Sequence, residues 1–393
     1  MSVYTIILYG KSCVVAIFHN NMTGGYADMK KIFAVLLCLT LVLSSFSAAL
    51  AFEPIAKEEI KVGFVYIGDV TDMGYTYAHH EGTKFMQEQL GLTGDQILTK
   101  RNIAEDSAAE TAIRELVEQG CNAIFATSFG YMDYMEELSE EYPEVIFSHC
   151  SGYKSNDVNF NNYFGRIYEA RYLSGIAAGL KAKEMGNNHL GYVAAFTSIP
   201  EVVYSLNAYY LGAKSVNPDV TMTVKSTNSW YDPTVERQVA DALVSAGCGI
   251  IAQHCDTTGP VAAAQENKLF AVGYNADVEE FGPDAVLTSP VWHWGIYLVE
   301  AVQQVIDGTW TPENSLMGLS EGLVGLSNLT KNCTEDTIAA VDAAAATILD
   351  GSFGVFVGPI NDNEGNVKVE AGQTLTPAEI LSITWFVEGI TVG

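Results

Sequence analysis

The sequence is poor in positive charge: it has 20 Lys and Arg against 47 Asp and Glu, a formal net charge of -27 at pH 7. Nucleic acids and anionic membranes attract basic surfaces, so this balance argues against both as partners. The chain also has no GxxxxGK[ST] phosphate loop and no HExxH pair. Neither a phosphate-loop nor a zinc-protease motif therefore indicates an enzyme.

Cysteine is sparse and shows no pattern. The cysteines after residue 52 form no CxxC pair, and their spacing identifies neither a disulfide nor a metal site. The neighbouring His79, His80 and Glu81 would point in different directions on a helix. Residues 254–256, His-Cys-Asp, are likewise too close in sequence for a tetrahedral site. We expect no metal and no cofactor.

The first 51 residues divide into two parts. Met29 begins a stretch with two lysines, an apolar run over 32–43 and small residues ending in Ala-Leu-Ala, which is typical of a secretory signal peptide. We interpret 29–51 as that signal peptide and leave 1–28 unassigned, with a start codon placed too early as one explanation. No small residue precedes the cysteine of the apolar run, as a lipoprotein would need. We expect a periplasmic or exported protein, with an uncleaved anchor as the alternative.

From residue 58 the sequence alternates between apolar runs and helical periodicity. The predicted strands cover 62–67, 123–126, 145–147, 190–196, 221–225, 249–252 and 269–273, and the predicted helices cover 76–90, 108–119, 169–184, 201–216, 233–246 and 259–267. This alternation indicates a mainly parallel sheet with helices on both faces. The pattern occurs twice without a Pro- or Ser-rich linker, which predicts an α/β protein of two similar lobes with a cleft between them.

The turn after the first predicted strand carries Asp72 and Tyr75, three residues apart. Ligands of α/β proteins bind at the carboxyl ends of strands, where the chain turns into a helix. A carboxylate beside an exposed ring suits a flat ligand with N–H donors. Ser128 and Phe129 follow the predicted strand 123–126, and we expect them near the same cleft.

Several segments, spread in order along the chain from residue 52 on, carry a family resemblance. They include KVGFVYIGDVTDMGYTYAHHEG, NNYFGRIYEARYLSGIAAG, NSWYDP, IIAQHCDTTGP, AVGYNADVEEFGP and LTSPVWHWGIY. Together they resemble the basic membrane protein family of ABC-importer substrate-binding proteins, which includes purine-nucleoside-binding lipoproteins. The resemblance implies a type I periplasmic-binding fold of two Rossmann-like lobes, three chain crossings and a ligand in the cleft. It also implies a monomer with a small-molecule ligand and a membrane permease as partners, and no catalysis.

Lobe bounds follow from this resemblance. We assign 58–162 plus 277–310 to the N-terminal lobe and 163–276 plus 311–393 to the C-terminal lobe.

The resemblance also implies roles for individual residues. Asp72 would hydrogen-bond a purine base, and Tyr75 would stack on it. Trp230 would cover the opposite face of the base from the other lobe. Asp256 and Thr257 would add polar contacts.

Two positions depart from the nucleoside-binding members of the family. Asn275 stands where those proteins have an aspartate that holds ribose, and Trp292 stands where they have a lysine near the ribose. Both changes remove charged partners for sugar hydroxyls. We therefore expect a bare purine nucleobase such as adenine, or a similar flat heterocycle. A nucleoside-binding protein and a ligand-sensing receptor are the alternatives, with a nucleoside-processing enzyme as a third.

Five of the candidate site residues also have a purely structural interpretation. In that interpretation Asp72 caps the helix that follows it, and the rings of Tyr75, Phe129, Trp230 and Trp292 are packing residues.

Overall fold

The computed structural model describes residues 7–9, 12–14 and 52–393. Near the start of the chain the strands Ile7–Tyr9 and Ser12–Val14 pair antiparallel. The predicted signal peptide over 29–51 lies outside the described residues. Residues 52–393 form one compact unit. Among the described helices, none combines the length and the apolar character that crossing a membrane requires.

The first lobe is built on a six-stranded sheet in which every neighbouring pair is parallel. In spatial order its strands are Ser315–Met317, Phe160–Gly165, Ile146–Cys150, Ala123–Thr127, Val62–Tyr66 and Ile97–Lys100. The strand Ala123–Thr127 is buried along its whole length, as its apolar sequence predicts for a strand covered on both faces.

The second lobe repeats this architecture with a second six-stranded parallel sheet. In spatial order its strands are Val286–Thr288, Phe270–Val272, Ile250–His254, His189–Ala194, Thr221–Ser226 and Ile390–Val392. In each sheet the first strand along the chain lies between the next two, so the strand order reverses there. Such a switch point leaves a crevice at the carboxyl ends of the strands.

Helices fill the connections between strands. Their bounds are Tyr75–Leu90, Ser107–Glu118, Met132–Glu141, Ile167–Met185, Pro200–Val216, Pro233–Ser245, Gly259–Glu266, Gly295–Asp307, Glu335–Leu349 and Pro377–Ile380, with short 3-10 turns at Gly94–Gln96, Phe129–Tyr131 and Glu279–Phe281. Local sequence sets several starts: the Asp232 side chain accepts hydrogen bonds from the amides of Thr234 and Val235, with Pro233 at the first helical position.

The two predicted alternating units are confirmed as two parallel α/β lobes. Most predicted elements agree with the structure within one or two residues at each end. The strands Ile97–Lys100 and Phe160–Gly165 and the helix Met132–Glu141 were not predicted. Phe160–Gly165 was missed because its sequence FNNYFG contains two adjacent asparagines, which interrupt an apolar pattern.

The chain crosses between the lobes three times. It leaves the first sheet after Phe160–Gly165, returns after Val286–Thr288, and leaves again after Ser315–Met317. The second and third crossings pair as antiparallel strands, Pro290–Trp292 with Val324–Leu326. This strand pair forms a short ribbon of backbone between the lobes, which can act as a hinge.

The crossings differ from the predicted lobe bounds at two strands. Val286–Thr288 belongs to the second sheet, although 277–310 was assigned to the first lobe. Ser315–Met317 belongs to the first sheet, although 311–393 was assigned to the second lobe. Both are three-residue edge strands, which are too short to show a periodicity that could assign them.

Near its end, the chain forms a hairpin, in which Ile360–Asn361 pairs antiparallel with Val367–Val369. The last strand, Ile390–Val392, then completes the second sheet by pairing with Thr221–Ser226. This strand was not predicted. It ties the chain end into the second lobe.

Candidate ligand cleft between the lobes

A cavity of about 430 Å³ lies where the carboxyl ends of the two sheets face each other. Most of its wall is made by residues that follow the strands of both lobes. From the first lobe come Ile67, Tyr75, Ser128, Phe129, Ser151, Gly152 and Tyr153, and from the second lobe come Ile199, Pro200, Glu201, Tyr204, Trp230, His254, Asp256, Tyr274 and Asn275. Both switch points therefore open onto one shared space, the position at which α/β proteins bind ligands.

Six of the nine predicted site residues line this cavity. They are Tyr75, Ser128, Phe129, Trp230, Asp256 and Asn275. The other three, Asp72, Thr257 and Trp292, do not lie on its wall. Asp72 bonds to backbone amides at the start of the following helix, and Trp292 packs on Trp294. Both positions agree with the structural interpretation of these residues.

Tyr75 and Trp230 bring one ring from each lobe to the cavity. The Tyr75 hydroxyl donates to Cys150 Sγ at 3.1 Å, and the ring packs edge-on against His79 with centroids 4.4 Å apart. Trp230 is half-buried and packs edge-on against Phe196, with centroids 5.0 Å apart. Each ring is thus held by neighbours within its own lobe.

Asp256 brings a carboxylate to the cavity wall. Its Oδ1 accepts hydrogen bonds from the Tyr75 amide at 3.2 Å and from Asn275 Nδ2 at 2.8 Å. Its Oδ2 has no hydrogen-bond partner among the described residues. Burial, reinforced by the nearby Asp72 and Glu236 carboxylates, raises the pKa of Asp256 well above its ordinary value. Asp256 therefore offers the ligand one oxygen that can accept a proton or a hydrogen bond.

Asp72 serves the helix that follows it. Its Oδ1 accepts from the amides of Gly74 and Tyr77, both at 2.9 Å, and its Oδ2 accepts from the Thr76 amide at 3.0 Å. Burial raises the pKa of Asp72, and these backbone donors act in the opposite direction. With both oxygens occupied at the start of helix Tyr75–Leu90, the carboxylate orders the turn that presents Tyr75.

Gly74 allows the two lobes to touch at this turn. A Cβ placed on Gly74 would lie 2.5 Å from the Cβ and from the carbonyl oxygen of Asp256. Real Cβ atoms do not approach that closely, so only glycine permits this contact. The Tyr75 amide reaches Asp256 across the lobe boundary for the same reason.

Ser128 and Thr257 have hydrogen-bond partners within their own lobes. Ser128 Oγ donates to Glu105 at 2.6 Å. Thr257 donates to Glu236 Oε2 from both its hydroxyl, at 2.6 Å, and its amide, at 3.0 Å. Thr257 therefore fixes the loop after strand Ile250–His254 instead of facing the cavity.

Phe129 lies on the cavity wall with 42% of its surface exposed. Its ring centroid is 6.4 Å from that of Tyr153, which is 71% exposed and also lines the cavity. The core-packing interpretation of Phe129 does not fit this exposure.

Asn275 and Trp292 occupy the two positions where the sequence departs from nucleoside binders. Asn275 has a left-handed backbone with φ of 68°, and its amide nitrogen bonds to Asp256 while its Oδ1 is buried without a partner among the described residues. Trp292 stacks on Trp294 with centroids 4.3 Å apart and donates to the Tyr274 hydroxyl at 3.3 Å. Trp292 is thus a core ring that supports Tyr274 from behind.

Sequence reasoning missed a polar group formed by Glu201, His254 and Tyr274. Glu201 Oε1 pairs with His254 Nε2 at 2.9 Å and accepts from the Tyr274 hydroxyl at 3.3 Å. All three residues line the cavity. The rule that selected Asp72 would also have found Glu201, because Glu201 opens the helix that follows strand His189–Ala194.

Asn162 was also missed. Its Nδ2 donates to His149 Nδ1 at 3.1 Å, and His149 Nε2 donates to the Ser128 carbonyl at 2.7 Å. Burial lowers the pKa of His149 to about 4, so the ring is neutral and holds the Asn162 amide in one orientation. Asn162 lies within an unpredicted strand, which is why no sequence signal marked it.

Across residues 52–393 no group of three His, Cys, Asp or Glu could hold a metal ion.

Comparison with known proteins agrees with this architecture. The family described as PnrA-like ABC transporter substrate-binding proteins matches residues 59–352. A purine-binding protein of Brucella abortus (strain 2308) is 37% identical over 337 residues, covering 85% of this chain and 94% of that protein. A putative ABC transporter glucose-binding protein of Haloferax volcanii is 35% identical over 314 residues, covering 80% of this chain and 78% of that protein.

Solved structures show the same fold. An ABC transporter solute-binding protein from Aeropyrum pernix K1 superposes with a TM-score of 0.65 at 19% identity, covering 77% of this chain and 93% of that one. Two parallel α/β lobes around a cleft are thus the architecture of solute-binding proteins. The chain belongs to the family of PnrA-like ABC transporter substrate-binding proteins.

Proposed function

We propose that this substrate-binding protein captures a purine nucleobase, with adenine as the first choice, or a closely similar flat heterocycle. The observation that carries the proposal is one cavity bounded by Tyr75 from the first lobe and Trp230 from the second, with the free oxygen of Asp256 on its wall. Its volume of about 430 Å³ lies near the lower end of the range for small-molecule sites.

Two interactions would supply most of the affinity. Stacking of a base on an aromatic side chain contributes roughly 1–3 kcal/mol per base in single-strand binders. Asp256 Oδ2 would accept a hydrogen bond from a ring N–H or an exocyclic amine. A ligand that left this buried oxygen unpaired would be strongly disfavoured.

A nucleobase fits the wall better than a nucleoside. The Asn275 amide nitrogen is already bonded to Asp256, and none of the described lining residues is Lys or Arg. The aspartate and the lysine that hold ribose in nucleoside binders are therefore absent from positions 275 and 292. The name of the Brucella abortus relative, a purine-binding protein, agrees with this ligand class.

In this proposal the exported protein works as a monomer by cleft closure, without catalysis. A ligand that contacts Tyr75 and Trp230 together bridges the lobes and favours the closed state through those contacts. The closed form would then be recognised by the membrane permease of an ABC importer. A sensing role would use the same closed form, with a membrane receptor in place of the permease.

A thermal-shift panel on protein refolded without ligand tests the proposal. The panel contains adenine, hypoxanthine, guanine, uracil, adenosine, inosine, ribose and glucose. A ligand at 100 times its dissociation constant stabilises the folded state by about 2.7 kcal/mol, which shifts the melting temperature by several degrees. A shift with a free purine and none with its nucleoside supports the proposal. A shift only with nucleosides, or only with glucose, contradicts it.

A further inference from the structure

The cavity wall carries acidic side chains and no Lys or Arg among the described residues. Its lining includes two carboxylates, Glu201 and Asp256, both from the second lobe. His254 also lines the cavity, but burial lowers its pKa, so the ring is neutral at neutral pH. A ligand in the cleft therefore meets the negative charge of Glu201, which no cation on the wall offsets.

Glu201 is held as a carboxylate by the groups around it. Burial alone would raise its pKa, but His254, the buried Arg171 and the Tyr274 hydroxyl together keep the pKa below its ordinary value. Arg171 lies behind the wall, with its guanidinium carbon 3.8 Å from the centre of the Tyr274 ring and its Nη1 donating to the Gln253 carbonyl. The cation thus stabilises Glu201 from the protein side, without facing the ligand.

One oxygen of Glu201 remains for the ligand. Oε1 is used by His254 and Tyr274, whereas Oε2 has no hydrogen-bond partner among the described residues. The side chain is 19% exposed and lies on the cavity wall. This carboxylate can only accept hydrogen bonds, because it stays ionised. Asp256 differs, since its raised pKa lets it adapt its proton to the ligand.

We propose that Glu201 is a specificity-determining, ligand-contacting residue that admits neutral or cationic heterocycles presenting an N–H donor and rejects anionic ones. The inference rests on the proposed function and narrows it to amino-substituted bases such as adenine. Heterocycles that are anions at neutral pH, such as urate and orotate, would bring like charge against Glu201 in a desolvated cavity, which is strongly unfavourable.

The test compares affinities of wild type, Glu201→Gln and Glu300→Gln for adenine, urate and orotate by calorimetry. Glu300→Gln is the matched control, because it removes the same charge from an exposed position on helix Gly295–Asp307. Glutamine at 201 can keep the Oε1 contacts, and melting temperatures check that each variant is folded. We expect Glu201→Gln to weaken adenine binding at least tenfold, and to lower the urate-to-adenine ratio of dissociation constants at least tenfold.

The possible failures are distinguishable. If wild type binds adenine and the ratio in Glu201→Gln stays within twofold of that in Glu300→Gln, the role of Glu201 is refuted and the proposed function survives. If wild type binds urate or orotate as tightly as adenine, charge selection is refuted without reference to any variant. If wild type binds none of these heterocycles, the proposed function fails and this inference fails with it.

Discussion

Replacing Asp256 with asparagine should weaken ligand binding and stabilise the ligand-free protein at the same time. An asparagine can keep the Oδ1 acceptor for the Tyr75 amide and for Asn275, which sit at 3.2 and 2.8 Å. It places an NH₂ group where Asp256 offers its free oxygen. Leaving a buried donor of the ligand unsatisfied costs about 1–3 kcal/mol, and about 1.4 kcal/mol corresponds to a factor of ten, so adenine should bind about 5- to 100-fold more weakly.

The stability effect follows from the direction of the pKa shift. Because the pKa of Asp256 is raised in the folded state, the folded protein holds this proton at pH values where the unfolded chain has lost it. The contribution of Asp256 to stability therefore falls as pH rises above the ordinary Asp range and through the raised pKa. The asparagine variant lacks this loss, so its melting temperature should exceed that of wild type increasingly from pH 4 to pH 8.

Calorimetry with adenine and melting curves across that pH range measure both effects. Asp69→Asn is the matched control: it lies in the same turn as Asp72, its pKa is lowered by the Thr71 hydrogen bonds, and its replacement should not give the same gain. Unchanged adenine affinity in Asp256→Asn would refute the assignment, because it would mean that the ligand edge facing Asp256 is an acceptor. A variant less stable than wild type at pH 8 would refute the pKa argument.

Three further variants test other parts of the cleft. Trp230→Ala should weaken adenine binding at least tenfold in calorimetry, since stacking contributes roughly 1–3 kcal/mol; unchanged affinity would remove Trp230 from the site. Gly74→Ala should hold the lobes apart, because its Cβ would lie 2.5 Å from Asp256; small-angle scattering should show no ligand-induced compaction, and normal compaction would contradict the steric argument. Asp72→Ala should lower the free energy of unfolding by about 0.5–2 kcal/mol through loss of the first-turn hydrogen bonds, as denaturant titration can measure; an unchanged value would mean that these bonds do not stabilise the fold.

The sequence predicts the lobes well because their signals are local. Buried parallel strands such as Ala123–Thr127 are apolar throughout, and helices such as Pro233–Ser245 carry their start signal in Asp232 and Pro233. Short edge strands such as Val286–Thr288 carry no comparable signal, since their place depends on pairing partners far away in the chain.

The site is predicted less completely, because position after a strand does not determine where a side chain points. Asp72 and Glu201 both follow a first strand, yet Asp72 directs its oxygens to backbone amides and Glu201 lines the cavity. Trp292 ends the strand Pro290–Trp292, and its ring packs on Trp294 instead of reaching the cavity. Only the packing between elements distinguishes these cases.

Most of the cleft wall comes from segments that lie beyond the ends of the strands, and this separates much of recognition from folding. Residues 75, 201, 230 and 256 all lie outside the strands, so a change there leaves the sequences of both sheets unaltered. A change of ligand can therefore be reached through a few substitutions that leave the scaffold intact. Two relatives with similar identity to this chain are named for different ligands, one for purines and one for glucose, which agrees with a shared scaffold and a variable cleft wall.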